Sequence, residues 1–368
     1  MKIHPSDFLL TEAAKERSGH TRVVEHVDSC AWCRLRLKAI LSHQWERKPP
    51  DYGPILDRSF RSLRRWEVEY ASERAEAPAL LSRLLNMPTG RREMILRNHR
   101  RFQTWGLLEI LLSESRERVF DDPSESEELA TLGLELARNL ESSRYGIERI
   151  EDLKARALAL IGNSRRARYD TSGAEQAFGE AREHLAAGTR DCLERAFLLE
   201  LEASLRRLQR RFADALRLLK RAEATFKELE DSHAIGKSQI QISLVHYHKG
   251  DLDLSIDVLH RAIPLIDRNL DRRSLFFGWH NLINCMTMAD HSILEVQAML
   301  AKARPLYQSF PQAWAQGRLK WMEGRVARRT GRHQEATAFF SSARRDLMAA
   351  NLKHEADLVA AEMRGVTR

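Results

Sequence analysis

Three residues near the start of the chain have the types and spacing to hold a metal. His26, Cys30 and Cys33 form the pattern H-x3-C-x2-C. On one continuous helix they would lie at i, i+4 and i+7, on a single face. If the helix broke near Ser29, a C-x2-C knuckle could still close on the same ion. Imidazole and thiolate donors suit zinc, which takes four nitrogen or sulfur ligands in a tetrahedron. A fourth ligand is then needed, and His4, His20 and His43 are the candidates. Four protein ligands would leave no position for a substrate water, so the role would be structural. The ligands must bind as thiolates, and oxidation of Cys30 and Cys33 to a disulfide would expel the ion. A redox reading of the C-x2-C pair would need a βαβ setting, and no strand pattern surrounds it.

Little else in the chain could do chemistry. No nucleophile–base pair, phosphate loop or paired carboxylate cluster is visible, so the reading is of a protein that is not an enzyme. His246 and His248 are two apart and face away from each other on a helix. Cys192 and Cys285 stand alone and read as small buried hydrophobes. The 368 residues are 43% hydrophobic and 30% charged, with few prolines and glycines, which favours a helix-rich soluble protein over a β-sandwich or disorder. No apolar run reaches the length of a membrane span, and the start, MKIHPSDFLL, lacks a signal-peptide core, so a cytoplasmic location is expected. The net charge of +8 points to acidic protein or peptide partners, with nucleic acid the lesser expectation because 60 basic residues face 52 acidic ones.

The elements that position these residues are read from a repeat. A small residue, a bulky apolar residue four on and an alanine three further recur: Ala174, Phe178, Ala181; Ala215, Leu219, Ala222; Ser255, Leu259, Ala262; Val296, Leu300, Ala303; Ala336, Phe340, Ala343. The closing alanines are 41, 40, 41 and 40 residues apart. Such a period marks stacked supersecondary units. Each triad shares one helix face, where small residues admit a neighbouring helix and the bulky one fills the space. Turn signals precede the triads at Tyr169-Asp170, Gly250-Asp251 and Gly331-Arg332. Each unit is therefore a helical hairpin. Ala130, Leu134 and Ala137 extend the series upstream, after the helix-start signal Asp121-Asp122-Pro123-Ser124.

Gly162-Asn163, Gly324 with Trp321, and the Ala…Phe…Ala second helices make this region resemble the tetratricopeptide repeat. That resemblance implies an all-α, right-handed solenoid used as a binding scaffold. The first 45 residues resemble the zinc-bound anti-sigma domain, on the H-x3-C-x2-C motif. The resemblance implies that His4, 22 residues before His26, is the fourth ligand. It also implies a sigma factor as partner and a following helix able to clasp it. The expected organisation is a zinc module over 1–45, a linker and amphipathic helices over 46–100, and the solenoid over 101–368 with a closing helix over 351–366. Within 46–100, Pro-Pro and Gly53-Pro54 mark a linker over 46–54. A helix over 55–77 carries Ile55, Phe60, Leu63, Trp66 and Tyr70 on one side, with Arg58, Arg61, Arg64 and Arg65 around it, and Pro78 marks its end.

In stacked hairpins the first helix of each unit lines the concave side. Counting back from the triads puts Arg156, Asn163, Arg166, Glu200, Ser204, Arg207, Lys237, Tyr247, His248, Asn281, Arg318, Trp321, Arg325 and Arg328 there. This basic stripe suits an acidic peptide or helix, because the arginine fork pairs bidentately with carboxylates. Charge reversal at Arg325 and Arg328 is expected to weaken binding and leave folding intact.

Overall fold

The computed structural model describes residues 4–15, 20–45 and 53–365, with the side chains of 42–66 excepted. Most of the linker over 46–54, and the side chains of His43, Arg58 and the other named residues up to Trp66, lie outside the described residues. Among the described residues the structure is all-helical, with no strand. The chain divides into two compact units, Met1–Glu69 and Tyr70–Arg368.

The first unit holds α1 (Asp7–Lys15), α2 (Thr21–Ser29), α3 (Ala31–Trp45) and the first part of α4 (Gly53–Leu85). Ser6 starts α1, with its hydroxyl accepting from the Leu9 amide. Helix α2 buries no residue, and the described apolar core of the unit is Leu10, Ala13 and Cys33.

Pro78 does not end its helix, contrary to the sequence expectation: α4 runs through it to Leu85. A proline there removes one helical hydrogen bond. Burial of Ala77, Leu80, Leu81 and Leu84 on either side offsets that loss. The same burial is why the second unit takes in residues from Tyr70 onward.

That unit continues through α5 (Thr89–Asn98), α6 (Trp105–Arg118), α7 (Pro123–Arg138) and the short α8 (Ser142–Tyr145). Asp122 accepts from the Ser124 and Glu125 amides at the start of α7, as the Asp-Pro-Ser signal implies. Regular hairpins follow: α9 (Ile147–Ala167) with α10 (Thr171–Ala187), α11 (Cys192–Leu208) with α12 (Phe212–Glu228), and α13 (Ser232–Lys249) with α14 (Leu252–Ala262). Then come α15 (Arg272–Met288) with α16 (Ile293–Gln308), α17 (Ala313–Arg329) with α18 (His333–Ala349), and α19 (Lys353–Arg364), which packs on α18. All five small–bulky–Ala triads are interior, none of their residues more than 4% exposed. The first helices approach the second ones through glycine. A Cβ on Gly162 would lie 2.9 Å from the Phe178 ring, and one on Gly324 2.7 Å from the Phe340 ring.

The turns inside the hairpins are as periodic as the triads. Tyr169, Arg210, Gly250, Asp290 and Gly331 all have positive φ. Only two of the five are glycine, and an L side chain in this region costs about 1–2 kcal/mol. At Gly250 (φ 94°) an added Cβ would meet nothing within 4 Å, so the backbone term stands alone. Gly250→Ala is therefore expected to lower stability by about 1–2 kcal/mol, and Arg210→Gly to raise it by a similar amount. Urea unfolding of the two variants checks both signs, and a loss in each would show that the turns are set by side chains instead.

Candidate metal cluster and helix-to-helix ladder

In the N-terminal unit, α2 ends at His26 and the residues just after it. Cys30 is extended (φ −112°, ψ 107°), its amide donates to the His26 carbonyl, and α3 starts at Ala31. The break folds Cys30 and Cys33 back toward His26, which settles the two arrangements the spacing left open in favour of the knuckle. His4, in the segment before α1, comes in from the other side. One side-chain donor atom from each of His4, His26, Cys30 and Cys33 lies within 4.8 Å of all the others. Among the described residues, this is the one such group of His, Cys, Asp and Glu. His20 stands at the start of α2, outside the cluster.

The distances fit a tetrahedral ion. His4 Nδ1 lies 3.3 Å from His26 Nε2, 3.6 Å from Cys30 Sγ and 3.3 Å from Cys33 Sγ. Zinc bond lengths give tetrahedral edges of about 3.3 Å between two nitrogens and about 3.5 Å between nitrogen and sulfur. Hydrogen bonding accounts for the arrangement less well. A neutral imidazole nitrogen offers one proton or one lone pair, which cannot serve three neighbours. His4 is also held by its surroundings. Its ring packs on Trp32 at 4.7 Å, the Arg36 guanidinium lies 4.7 Å over the Trp32 ring, and Arg36 Nε pairs with Asp7 at 2.6 Å. Burial, with Cys30 adding to it, raises the pKa of the Cys33 thiol.

In the second unit, the residues expected to form an open stripe are stitched from one first helix to the next. Arg156 pairs with Glu194, Lys237 Nζ lies 3.1 Å from Asp271, and Arg318 Nε lies 2.9 Å from Glu355. Ser204 meets Gln241 at 3.3 Å, and the Ser238 hydroxyl donates to Glu200 at 2.5 Å. Tyr247 packs into the core beside α15. Asn163 is buried and accepts from Arg166 Nε at 2.9 Å, and Asn281 keeps a buried Nδ2 with no hydrogen-bond partner.

Beside Asn163, two more expected groove residues are interior. Trp321 and Arg325 are each 6% exposed. Arg325 Nε donates to Glu362 at 2.9 Å, its Nη1 to Asn284, and its guanidinium lies 4.6 Å over the Trp321 ring. Trp321 Nε1 also donates to Glu362, at 3.2 Å, and Arg328 reaches it at 3.8 Å. Counting helical positions finds the stripe but not the glutamate that α19 brings over it. Arg325 therefore cannot be reversed in charge without cost to folding.

Sequence reasoning also missed an aromatic group around α15. Phe276, Tyr307 and Trp314 pack edge to face, with Phe276 centroids 4.6 and 4.9 Å from the other two. His280 stacks on Phe276, and its Nδ1 lies 3.0 Å from the Tyr307 hydroxyl. Burial, with Arg318 and Arg325 adding repulsion, pushes the His280 pKa well below its usual value. The consequence for stability has a definite sign. The unfolded chain takes up a proton near the ordinary histidine pKa of about 6.5, and the folded chain does not. Stability is then full above that pH and falls by about 1.4 kcal/mol per unit below it. In His280→Gln the pH 5 to 7 part of the melting curve should flatten by that amount, and an unchanged slope would remove His280 as its source.

No protein-family model and no curated protein matches the sequence. Solved structures do match. A Rap protein complexed with competence and sporulation factor aligns with TM-score 0.53 at 14% identity, over 71% of this chain and 70% of that one. Aspartyl phosphate phosphatase F from Bacillus subtilis aligns with TM-score 0.50 at 12% identity, over 100% of this chain and 96% of that one. A Podosopora anserina putative kinesin light chain with nearly identical TPR-like repeats aligns at TM-score 0.40 and 15% identity, over 55% of this chain and 95% of that one. At such identities the likeness concerns the fold: an all-helical, tetratricopeptide-like solenoid. No helix among the described residues is long and apolar enough to cross a membrane.

Proposed function

We propose that the chain is a regulatory adaptor that works by binding protein rather than by catalysis. The solenoid supports this reading. Stacked hairpins present long faces of first helices, and in this chain those faces carry half-buried arginines suited to a protein or acidic peptide. A Rap protein of similar fold was solved in complex with competence and sporulation factor, which fits a binding role for such a scaffold.

A finer reading rests on the first unit. His4, His26, Cys30 and Cys33 would hold a structural zinc ion, which would tie three short helices together and supply no reactive position. These are the four residues that the resemblance to the zinc-bound anti-sigma domain marks, and their convergence favours a sigma factor as the bound protein. The full chain used as bait in an extract of its native host tests both levels. Reproducible recovery of one protein supports the adaptor. Recovery of a sigma factor by the native chain and not by Cys30→Ser supports the finer reading. A defined partner that is not a sigma factor removes only the finer one. No reproducible partner counts against both.

A further inference from the structure

Among the half-buried arginines on the first helices α9, α11, α15 and α17, nearly all meet a carboxylate of the protein itself. Arg156, Arg165, Arg206, Arg273, Arg318, Arg328 and Arg329 each do so. Among the described residues, Arg166 and Arg207 do not. Arg166 finds the Asn163 amide oxygen, and Arg207 Nη1 lies 3.0 Å from His248 Nε2. The three form a register. Arg166, Arg207 and His248 are 41 residues apart, and each is the last residue but one of its helix, α9, α11 and α13. The charged neighbours are arginines, and the Tyr169 phenol acts the other way on Arg166. Arg207 repels Arg166, and Arg207 and Arg210 repel His248.

Two guanidinium groups on successive first helices are thus taken partly out of water, and among the described residues neither pairs with a carboxylate. That is costly, since a desolvated charge is offset only by a partner. Burial, with Arg207 adding repulsion, lowers the pKa of Arg166 to about 10, and burial lowers that of Arg207 as well. Burial among the helices and the two arginines take His248 down to about 4. His248 nevertheless keeps part of its side chain exposed to solvent. A neutral His248 can accept from Arg207, which leaves the rest of both forks unmatched among the described residues.

The occupant is suggested by the chain's own practice. Where a first-helix arginine is satisfied by the next first helix, a glutamate does it: Glu194 for Arg156, Glu355 for Arg318 and Glu362 for Arg325. At Arg166 and Arg207 that glutamate is missing. We propose that the register of Arg166, Arg207 and His248 is a carboxylate-binding site, filled by an aspartate or glutamate side chain of an acidic peptide. This rests on the adaptor reading and narrows the expected stripe to the positions whose charge the protein leaves unanswered.

A competing account needs no ligand. Each of the three sits at a helix C-terminus, where the helix dipole favours a cation. The two accounts differ on removal of the charges. If the dipole accounts for them, Arg166→Gln/Arg207→Gln destabilises the fold. If the site awaits a carboxylate, the double variant melts no lower than the native chain, because repulsion is relieved.

The binding test uses the full chain and fluorescein-labelled hexaglutamate, read by anisotropy at physiological salt. Saturable binding is expected, weakened tenfold or more in the double variant and less in Arg207→Lys, which keeps the charge but not the fork. The exposed Arg211, already paired with Asp214, serves as control, and Arg211→Gln should bind as the native chain does. No saturable binding, equal binding by the double variant, or an equal loss in the control would overturn the site. Tighter binding of a hexapeptide bearing phosphoserine would assign the register to phosphate instead and overturn the carboxylate assignment. Capture from the host extract, run in parallel, separates the two levels. A native partner retained by the double variant sinks the site and leaves the adaptor standing. Hexaglutamate binding without any native partner does the reverse.

Discussion

Cys30→Ser is expected to cost the chain about one bound zinc and the folded state of α1, α2 and α3, while the unit from Tyr70 onward stays folded. The reason is the size of the core. Leu10 and Ala13 are the buried apolar side chains of the described first unit beside Cys33, and α2 buries nothing. A fully buried leucine contributes roughly 1.5–3 kcal/mol, and an alanine less. Ordering each residue's backbone costs roughly 1–2 kcal/mol. Three short helices cannot be held on those terms. A structural zinc site contributes roughly 10–16 kcal/mol of apparent binding energy, and that energy is folding energy. Metal analysis of protein purified without added zinc, with amide exchange over 4–45, reads both effects. His4→Ala should act like Cys30→Ser. His20→Ala should not, because His20 lies outside the cluster. A metal-free chain with protected amides in α2 and α3 would end the zinc reading and take the anti-sigma reading with it.

How much of this could be seen in the sequence depends on whether a residue's role is local. The triads were visible because i, i+4 and i+7 share a helix face wherever the helix lies, and all five are interior. Gly250 and Gly331 announced their turns, whereas Arg210 and Asp290 hold the same backbone shape with residues that carry no such signal. Pro78 misled because its local preference was outweighed by the leucines packed after it. His26, Cys30 and Cys33 could be grouped from spacing. His4 could not, since nothing local ties it to residues 22 or more positions away, and only the family resemblance pointed there. The stripe was legible only in part. Its residues do lie on the first helices, but what several of them meet is set by a neighbouring first helix, 37 to 41 residues away. A one-helix pattern contains the arginine and not the glutamate that answers it.

That difference makes Arg325 and Glu362 the place where stability is most exposed to a single change. Glu362 accepts from Arg325 and Trp321 and is approached by Arg328, so one carboxylate holds α19 against α17. Arg325 is 6% exposed, flanked by Trp321 and bonded to Asn284 of α15. Removing the carboxylate in Glu362→Ala leaves a buried guanidinium without its anion, which is expected to cost about 3–5 kcal/mol. Arg325→Glu should cost at least as much, since it sets two carboxylates together in the same space. The arginine was expected to be an exposed groove residue whose reversal left folding intact, and the two views differ by several kcal/mol in one unfolding curve. The pair itself is not thereby shown to be a large net gain, because both charges gave up water to form it. Arg325→Met/Glu362→Leu, which replaces the pair with apolar side chains, should recover most of the loss seen in Glu362→Ala. Urea unfolding of the single and double variants gives the coupling directly. A double variant as unstable as the sum of its parts would mean that the two side chains act separately, and that α19 is held by Ala356 and Val359 in the core rather than by the ladder above them.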